Sequence, residues 1–190
     1  MEKKRVGLAL CGSYCSYDRL FAALPPLAER YELIPILSDT AAETDTRFGT
    51  AAEHIRRLMA LTGRKVITTI PEAEPLGPAE PLEALLIAPC TGSTLARLAH
   101  GLSDSSVAMA AKAHLRNGRP VVLALSTNDG LSGSAENIAR LLNRRHFYFV
   151  PFGQDDPERK PFSLQADFNR LAETLEAALE GRQLQPLLRR

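Results

Sequence analysis

Short apolar runs recur along the chain, and most of them end in a loop of small or polar residues. The runs are rich in Val, Leu, Ile and Ala, as is typical of strands that are buried on both faces of a parallel sheet. We predict six strands, over Val6–Cys11, Leu33–Leu37, Lys65–Ile70, Ala84–Ala88, Val121–Leu125 and His146–Val150. Five of them end in a loop of small or polar residues, and Lys65–Ile70 instead leads into the proline-rich stretch Pro71–Pro81.

Segments with helical periodicity separate the predicted strands. They predict helices from the first loop to Arg30, with a kink at Pro25-Pro26, and over Phe48–Leu61, Ser93–Leu102, Ser105–Asn117, Ala135–Asn143 and Ser163–Leu179. Ser103 or Asp104 is the predicted N-cap of the 105–117 helix. The proline-rich stretch Pro71–Pro81 is predicted to be an extended, stiff connection.

The alternation of strands and helices predicts an α/β fold. We expect a three-layer, doubly wound, mainly parallel six-stranded sheet of the Rossmann or flavodoxin-like type, in a single domain over residues 1–190. In such a sheet the carboxyl ends of the strands lie along one edge, and ligands bind in the crevice outside that edge. The polar loops therefore mark the expected site.

Composition and charge narrow the function class. The formal net charge is +1, and aromatic residues make up 6% of the chain with no Trp, which argues against binding to nucleic acid or to an anionic membrane. No apolar run is long enough for a membrane span. The cysteines Cys11, Cys15 and Cys90 form no CxxC pair, so neither a disulfide framework nor a metal site is expected. We expect a cytoplasmic protein.

Two loops near the amino terminus suit an anion. Gly12-Ser13 lies between the first strand and the first helix, where a glycine turn, a hydroxyl and a helix amino terminus fit a phosphate. An ordinary turn with a serine cap explains the same residues equally well. Ser38-Asp39-Thr40 offers a second hydroxyl to the same anion, or caps a helix.

Two later loops carry more polar side chains. Pro89–Thr94 opens a helix with Thr91, Ser93 and Thr94, and its Cys90 is expected to be a buried or spectator thiol because no His stands beside it. Ser126–Gly130 has four polar side chains in a row, which serve either a site or a turn with an N-cap.

Charged residues near the crevice are fewer. Arg47 follows the second predicted crevice loop and suits a carboxylate, although a surface ion pair is the commoner fate of an arginine. Asp155 and Asp156 follow the last strand. Three roles are open to them: a general base, a group that binds an amine, or part of a solvated turn. No histidine falls in a crevice loop, which disfavours histidine-based acid–base chemistry.

The chain resembles the flavoprotein family of homo-oligomeric FMN-binding proteins. The resemblance rests on Val6–Tyr17, on Pro120–Leu125 and on the pattern Ala-Pro-x-Thr-x-x-Thr-Leu-Ala-x-Leu-Ala-x-Gly of Ala88–Gly101. The family includes phosphopantothenoylcysteine decarboxylase, lantibiotic cysteine decarboxylases and prenyl-FMN-forming transferases. Further stretches resemble the subgroup that takes part in making dipicolinate in spore-forming bacteria, over residues 46–49, 73–78, 119–123, 126–129, 151–157 and 183–186.

This resemblance implies one half of a flavin-dependent oxidoreductase that works during sporulation with a dehydrogenase-like A subunit. Together they would oxidise a tetrahydrodipicolinate-type intermediate, a small dicarboxylate, to dipicolinate. The resemblance also implies a homo-oligomer, as a trimer or a multiple of one.

The site residues that the resemblance implies lie in the polar loops. FMN would be bound by Gly12, Ser13, Ser38, Pro89, Thr91, Gly92, Thr94, Ser126 and Thr127. The substrate would be bound by Arg47, Thr91, Ser93 and Asn128, with Arg47 on a carboxylate. No catalytic residue is assigned.

The chain departs from the family's decarboxylases at three places. Their catalytic His falls where this chain has Glu74–Pro81, Ser93 replaces an Asn of their Pro-x-x-Ala-Asn-Thr motif, and Ser126-Thr127-Asn128 replaces their Pro-x-Met-Asn motif. These departures argue against cysteine-type decarboxylation. A non-catalytic partner that stabilises the A subunit or channels its intermediate is the main alternative, and an FMN-dependent decarboxylase is less favoured.

Overall fold

The computed structural model describes residues 3–189, and its centre is a parallel sheet. The parallel strands are β1 (Arg5–Leu10), β2 (Glu32–Leu37), β3 (Ala84–Cys90), β4 (Val121–Thr127) and β5 (Phe147–Phe149). They lie in the order β2-β1-β3-β4-β5. Their order reverses direction between β1 and β3, which is the point where open α/β sheets bind ligands.

Helices cover both faces of this sheet. They are α1 (Tyr17–Ala23), α2 (Pro25–Arg30), α3 (Asp39–Glu43), α4 (Ala51–Thr62), α5 (Ile70–Ala73), α6 (Gly92–His100), α7 (Ser106–Leu115), α8 (Ala135–Leu142) and α9 (Leu171–Leu179). Helices α1 and α9 pack against β3, and α7 packs against β2 and β3. Because β3 is buried along its whole length, its side chains on both faces belong to the hydrophobic core. The predicted doubly wound α/β fold is confirmed.

The sheet has seven strands rather than six, because a short antiparallel extension joins its carboxyl edge. Strand β5 pairs only with the first half of β4, from Val121 to Leu123. The second half of β4 is therefore free to pair with β7 (Leu164–Ala166), which in turn pairs with β6 (Phe152–Gly153). The prediction of one helix over Ser163–Leu179 was wrong at its start, where β7 and a 3₁₀ turn at Phe168–Arg170 precede α9.

The segment between α4 and β3 also differs from its prediction. The predicted strand Lys65–Ile70 is reduced to a single bridge between Ile67 and Ile36. The predicted extended connection instead begins with α5 and a 3₁₀ turn at Glu74–Leu76. A capping box explains the difference: Thr69 Oγ1 accepts from the Glu72 backbone N–H, and the Glu72 carboxylate accepts from the Thr69 backbone N–H.

Smaller corrections concern helix ends. Helix α7 is capped by Ser105, whose Oγ accepts from the Ala108 backbone N–H at 3.2 Å, and not by Ser103 or Asp104. Helix α6 begins at Gly92 with Thr91 as its cap. The predicted break at Pro25-Pro26 is confirmed, since α1 ends at Ala23 and α2 begins at Pro25.

Candidate functional site

A crevice of about 910 Å³ opens at the carboxyl edge of the sheet, above the loops that follow β1, β3 and β4. It lies at the reversal of strand order described above. Eight residues that were predicted as site residues line it: Gly12, Ser13, Thr91, Gly92, Ser93, Ser126, Thr127 and Asn128. The fold therefore brings three separate loops of the sequence to one surface.

A smaller recess of about 160 Å³ adjoins the crevice beside the amino terminus of α6. It shares Gly12, Thr91 and Ser93 with the crevice and adds the hydroxyls of Ser38 and Thr94 together with the Arg97 side chain. Thr91 caps α6 by accepting from the Thr94 backbone N–H at 3.3 Å. A helix amino terminus, hydroxyl groups and a guanidinium form a donor set that suits an oxyanion.

Ser38 has a structural role as well. Its Oγ accepts from the Ala41 backbone N–H at 3.3 Å and so caps α3, which is one of the two uses that its sequence allowed. The turn after β1 differs from the expected start of a helix. Ser13 donates its backbone N–H to Cys11 O at 2.8 Å, a 3₁₀ turn follows at Tyr14–Ser16, and α1 starts only at Tyr17.

The loop between β4 and α8 is held against the start of α6. Thr127 Oγ1 and Ser134 Oγ both donate to Asp129 Oδ1, the latter at 2.9 Å. A Cβ on Gly92 would lie 2.6 Å from Ser134 Oγ and 2.9 Å from Thr127 Oγ1. Only glycine fits where these loops approach each other, so Gly92 sets the floor of the crevice.

The cysteines divide by burial. Burial raises the pKa of Cys11 to about 11 and holds the pKa of Cys90 well above the ordinary range, so that both stay protonated and unreactive. Cys11 Sγ also accepts a hydrogen bond from Thr94 Oγ1 at 3.2 Å. Cys15 alone is exposed, and it lines the crevice. Pro89, beside Cys90, is buried at the end of β3 and does not line the crevice.

Arg47 lies outside the lining of the crevice. It sits in the exposed turn between Thr46 and Gly49, and its guanidinium carbon stands 4.8 Å from the ring centre of Phe48. Phe48 does line the crevice, so the Arg47 backbone is adjacent to it.

The segment after β6 supplies two of the charged groups that line the crevice, Asp155 and Lys160. Asp155 accepts an ion-pair hydrogen bond from Lys160 at 3.1 Å, and both side chains face the crevice. Burial alone would raise the pKa of Asp155, but hydrogen bonds from Ser163 and Lys160 outweigh it and hold that pKa below its usual value. Gln154 and Asp156, predicted with Asp155, instead bond within the loop, to Pro161 O and to the Arg159 backbone N–H.

Sequence reasoning missed a buried polar cluster beneath the crevice. Ser126 Oγ lies 2.7 Å from Ser13 Oγ and 2.7 Å from Ser16 Oγ. Gln165 Nε2 donates to Ser16 Oγ at 2.9 Å, and Arg19 donates to Gln165 Oε1. Gln165 was not found because its segment was predicted as a helix; the alternation of Leu164, Gln165 and Ala166 was the available signal.

The histidines lie elsewhere. His54 and His114 are buried, and burial is the main cause that lowers the pKa of each. His114 bonds to Pro120 O at 2.9 Å, and His54 packs edge-on to the Tyr17 ring. Within residues 3–189 no histidine lines the crevice. Over the same range no group of three or more His, Cys, Asp and Glu is placed to hold a metal ion, and no helix is long and apolar enough to cross a membrane.

Comparisons with known proteins agree with this geometry. The model of the family described as Flavoprotein matches residues 1–161. The B subunit of dipicolinate synthase of Bacillus subtilis (strain 168) is 45% identical over 189 residues, which is 99% of this chain and 94% of that protein.

Two solved structures are similar. The crystal structure of the dipicolinate synthase B subunit from Bacillus halodurans is 43% identical, with a TM-score of 0.91 over 100% of this chain and 97% of that one. DmrB of Burkholderia xenovorans, in complex with FMN, shares the fold at 19% identity, with a TM-score of 0.68 over 94% of this chain and 96% of that one. The chain belongs to the flavoprotein family and, within it, to the family of the dipicolinate synthase B subunits.

Proposed function

We propose that this protein is the B subunit of a dipicolinate synthase and works with the A subunit during sporulation. The pair dehydrates and oxidises a cyclic tetrahydrodipicolinate-type intermediate to the aromatic pyridine-2,6-dicarboxylate. The observation that carries the proposal is the extent of the match, because 45% identity runs over 99% of this chain and 94% of the Bacillus subtilis protein. A match of that extent includes every crevice loop.

The residues of the crevice fit FMN. The adjoining recess offers the Ser38 hydroxyl and the Arg97 guanidinium to a phosphate, beside the amino terminus of α6. The larger crevice has room and hydroxyl or amide groups from Ser13, Ser126, Thr127 and Asn128 for a planar ring. FMN, when bound, would supply the acceptor for the hydride that polar side chains cannot take. The FMN-bound DmrB structure of the same fold supports this assignment.

Polar side chains near the mouth of the crevice would contact the substrate. Ser93 and Asn128 are exposed there, and Thr91 and Ser93 line both the crevice and the recess. A dicarboxylate also needs cationic partners, and Lys160 is the lining cation that the described residues provide. Arg47, one residue from Phe48 at the crevice edge, is proposed as the second, because its exposed guanidinium is free of ion pairs among residues 3–189.

The experiment uses both proteins of the synthase. The B protein is purified anaerobically with and without the A protein, its absorbance spectrum is recorded, and dipicolinate is measured with the tetrahydrodipicolinate-type precursor. A flavin spectrum and product that requires both proteins are expected. Arg47→Ala is expected to abolish product while the melting temperature stays unchanged, because Arg47 is exposed. Arg56→Ala, an exposed arginine on α4, is the matched control. Undiminished product from Arg47→Ala would remove Arg47 from the proposal.

A second candidate function is a non-catalytic partner that stabilises the A subunit or channels its intermediate. The observation that favours it is the state of the lining carboxylates: Asp129 is engaged by Thr127 and Ser134, and Asp155 by Lys160. No free general base is then evident among the described lining residues. Turnover by the A protein alone, slowed but not abolished without this protein, would favour this candidate over the first.

A further inference from the structure

A continuous line of polar side chains runs from the protein surface to the crevice. It begins at the exposed Arg19 on α1, passes through the buried Gln165 on β7 and the buried Ser16 and Ser126, and ends at Ser13. The successive contacts measure 2.5, 2.9, 2.7 and 2.7 Å. We call these five side chains the relay.

The direction of the first two hydrogen bonds in the relay follows from its first member. A guanidinium has donors and no acceptor, so the atom of Gln165 that faces Arg19 must be the carbonyl oxygen. The amide nitrogen of Gln165 therefore faces the serines and donates to Ser16 Oγ. Nε2 also approaches Ser126 Oγ at 3.4 Å, which adds a second donation in the same direction.

The preferred donor-to-acceptor order continues through the three serines. Ser16 Oγ accepts from Gln165, and its own proton has Ser126 Oγ as its close acceptor at 2.7 Å. If Ser126 Oγ accepts from Ser16, its own proton has Ser13 Oγ, 2.7 Å away, as its close acceptor. The proton of Ser13 is left without a close acceptor: Ser16 Oγ lies 3.4 Å away and Cys15 Sγ 4.0 Å away. Ser13 lines the crevice, so its proton points there.

We propose that the relay from Arg19 to Ser13 makes Ser13 a fixed hydrogen-bond donor into the crevice, with Gln165 as the residue that sets its direction. Such a donor selects a ligand atom that carries a lone pair and no proton, such as a carbonyl, carboxylate or phosphate oxygen. Two sources meet this description under the proposed function, on which this inference rests: the FMN and the dicarboxylate. Because the cationic head of the relay polarises each bond in turn, the terminal donor is stronger than an isolated serine.

A single isosteric substitution reverses the relay. In Gln165→Glu one carboxylate oxygen still accepts from Arg19, but the other can only accept from Ser16. Ser16 must then accept from Ser126, and Ser126 from Ser13, so Ser13 presents a lone pair to the crevice. The ligand whose oxygen meets Ser13 is expected to bind at least about tenfold more weakly, since a hydrogen bond to a charged group is lost.

Affinities of wild type and variants are measured separately for FMN, riboflavin and dipicolinate. A loss for FMN alone identifies the phosphate, a loss for both flavins the ring, and a loss for dipicolinate a carboxylate. Gln154→Glu adds the same charge on an exposed residue of the neighbouring loop and is expected to change these affinities less. In a Ser13→Ala background the Gln165→Glu effect is expected to vanish. Equal affinities of Gln165→Glu and wild type for every ligand that wild type binds would overturn the inference.

Neutron diffraction of the deuterated wild-type protein without ligand tests the direction independently. The Ser126 deuteron is expected on the line to Ser13, and the Ser13 deuteron is expected to face the crevice. A Ser13 deuteron on the line to Ser126 would overturn the inference. The expected deuteron positions together with a wild type that binds neither flavin nor dipicolinate would leave the relay standing and refute the proposed function instead.

Discussion

Gly12 and Gly92 both line the crevice and both precede a serine, but they lie in very different surroundings. A Cβ on Gly12 would meet Thr40 Cγ2 at 3.5 Å and Tyr14 Cε2 at 3.6 Å, which are ordinary contacts. A Cβ on Gly92 would meet Ser134 Oγ at 2.6 Å and Asp129 Oδ1 at 3.0 Å, where something must move. A methyl group on Gly92 would therefore force neighbouring side chains to move, whereas a methyl group on Gly12 would be accommodated.

Alanine substitutions at these two positions distinguish an effect on stability from an effect on ligand binding. Gly92→Ala is expected to destabilise the protein by about 1–3 kcal/mol in urea unfolding, because the methyl group overpacks the contact between α6 and the β4 loop. Gly12→Ala is expected to leave unfolding nearly unchanged and to weaken FMN binding, because its methyl group lies against the crevice. Equal stability of the two variants would contradict the packing argument.

The thiols provide a second test at this scale. Cys11 and Cys90 are buried with raised pKa values, while Cys15 is exposed in the crevice. A thiol reagent at mildly alkaline pH is expected to modify one cysteine per native chain and all three after unfolding. Cys15→Ser is the control that removes the native reaction. Saturating FMN is expected to slow modification, and rapid reaction of Cys90 in the folded protein would contradict its burial.

At the scale of elements, two segments adopt a structure that differs from the one predicted from their own residues. The Leu164–Ala166 segment was predicted as part of a helix, yet it pairs as β7 because β5 leaves the second half of β4 without a partner. Unpaired strand edges gain hydrogen bonds from any extended segment that reaches them. That pairing is what carries Gln165 beneath the crevice.

The Thr69–Glu72 capping box tests the other segment. Thr69→Ala is expected to cost about 0.5–2 kcal/mol in urea unfolding, because α5 loses its N-cap. The hydrogen bond from Lys65, with further bonds from Thr68 and Thr69, lowers the pKa of Glu72 from 4.5 to about 2. Because the folded pKa lies below the unfolded one, the stabilisation from Glu72 is complete above about pH 4.5 and is lost as the pH falls towards 2.

The matched variants are Glu72→Gln and Glu74→Gln, the latter at an exposed position in the same segment. Wild type and Glu74→Gln are expected to lose stability between pH 4.5 and 2 more steeply than Glu72→Gln, which has no carboxylate to protonate. Parallel pH profiles for all three proteins would show that the Glu72 carboxylate contributes no measurable pH-dependent stability.

At the scale of the whole molecule, the charge of the crevice is incomplete for a dicarboxylate. Lys160 is the cation in its lining within residues 3–189, and Asp129 and Asp155 are carboxylates. Arg47 or a cation from a neighbouring copy of the chain must offset this balance if a dicarboxylate binds. The family resemblance implies a homo-oligomer, and we propose that this chain forms one.

Light scattering coupled to size exclusion tests the assembly. A mass of three chains or a multiple of three is expected, and dipicolinate affinity is expected to fall on dilution to the single chain if a neighbour completes the site. The dilution series with FMN in place of dipicolinate serves as the control ligand. A stable single chain that binds dipicolinate at full affinity would show that Arg47 and Lys160 suffice.

Much of the fold and part of the crevice lining could be predicted from the sequence. Strands β1, β3 and β4 are buried on both faces, so each appears in the sequence as a nearly continuous apolar run. The loops after these strands line the crevice, as predicted. Arg47, by contrast, lies outside the lining, and Lys160 inside it was not predicted. Where a long side chain points depends on the path of its loop, which local pattern does not specify.

The sequence by itself determined the doubly wound sheet, the edge at which its loops collect and the small polar residues found there, because burial on both faces imposes an apolar pattern that is local in the chain. Only the tertiary structure decided that β7 pairs with β4 and that Arg19, Gln165, Ser16, Ser126 and Ser13 lie in one hydrogen-bonded line. Those contacts join residues up to 149 positions apart. Hydrogen bonds at such separations follow from strand pairing and packing, and no local period records them.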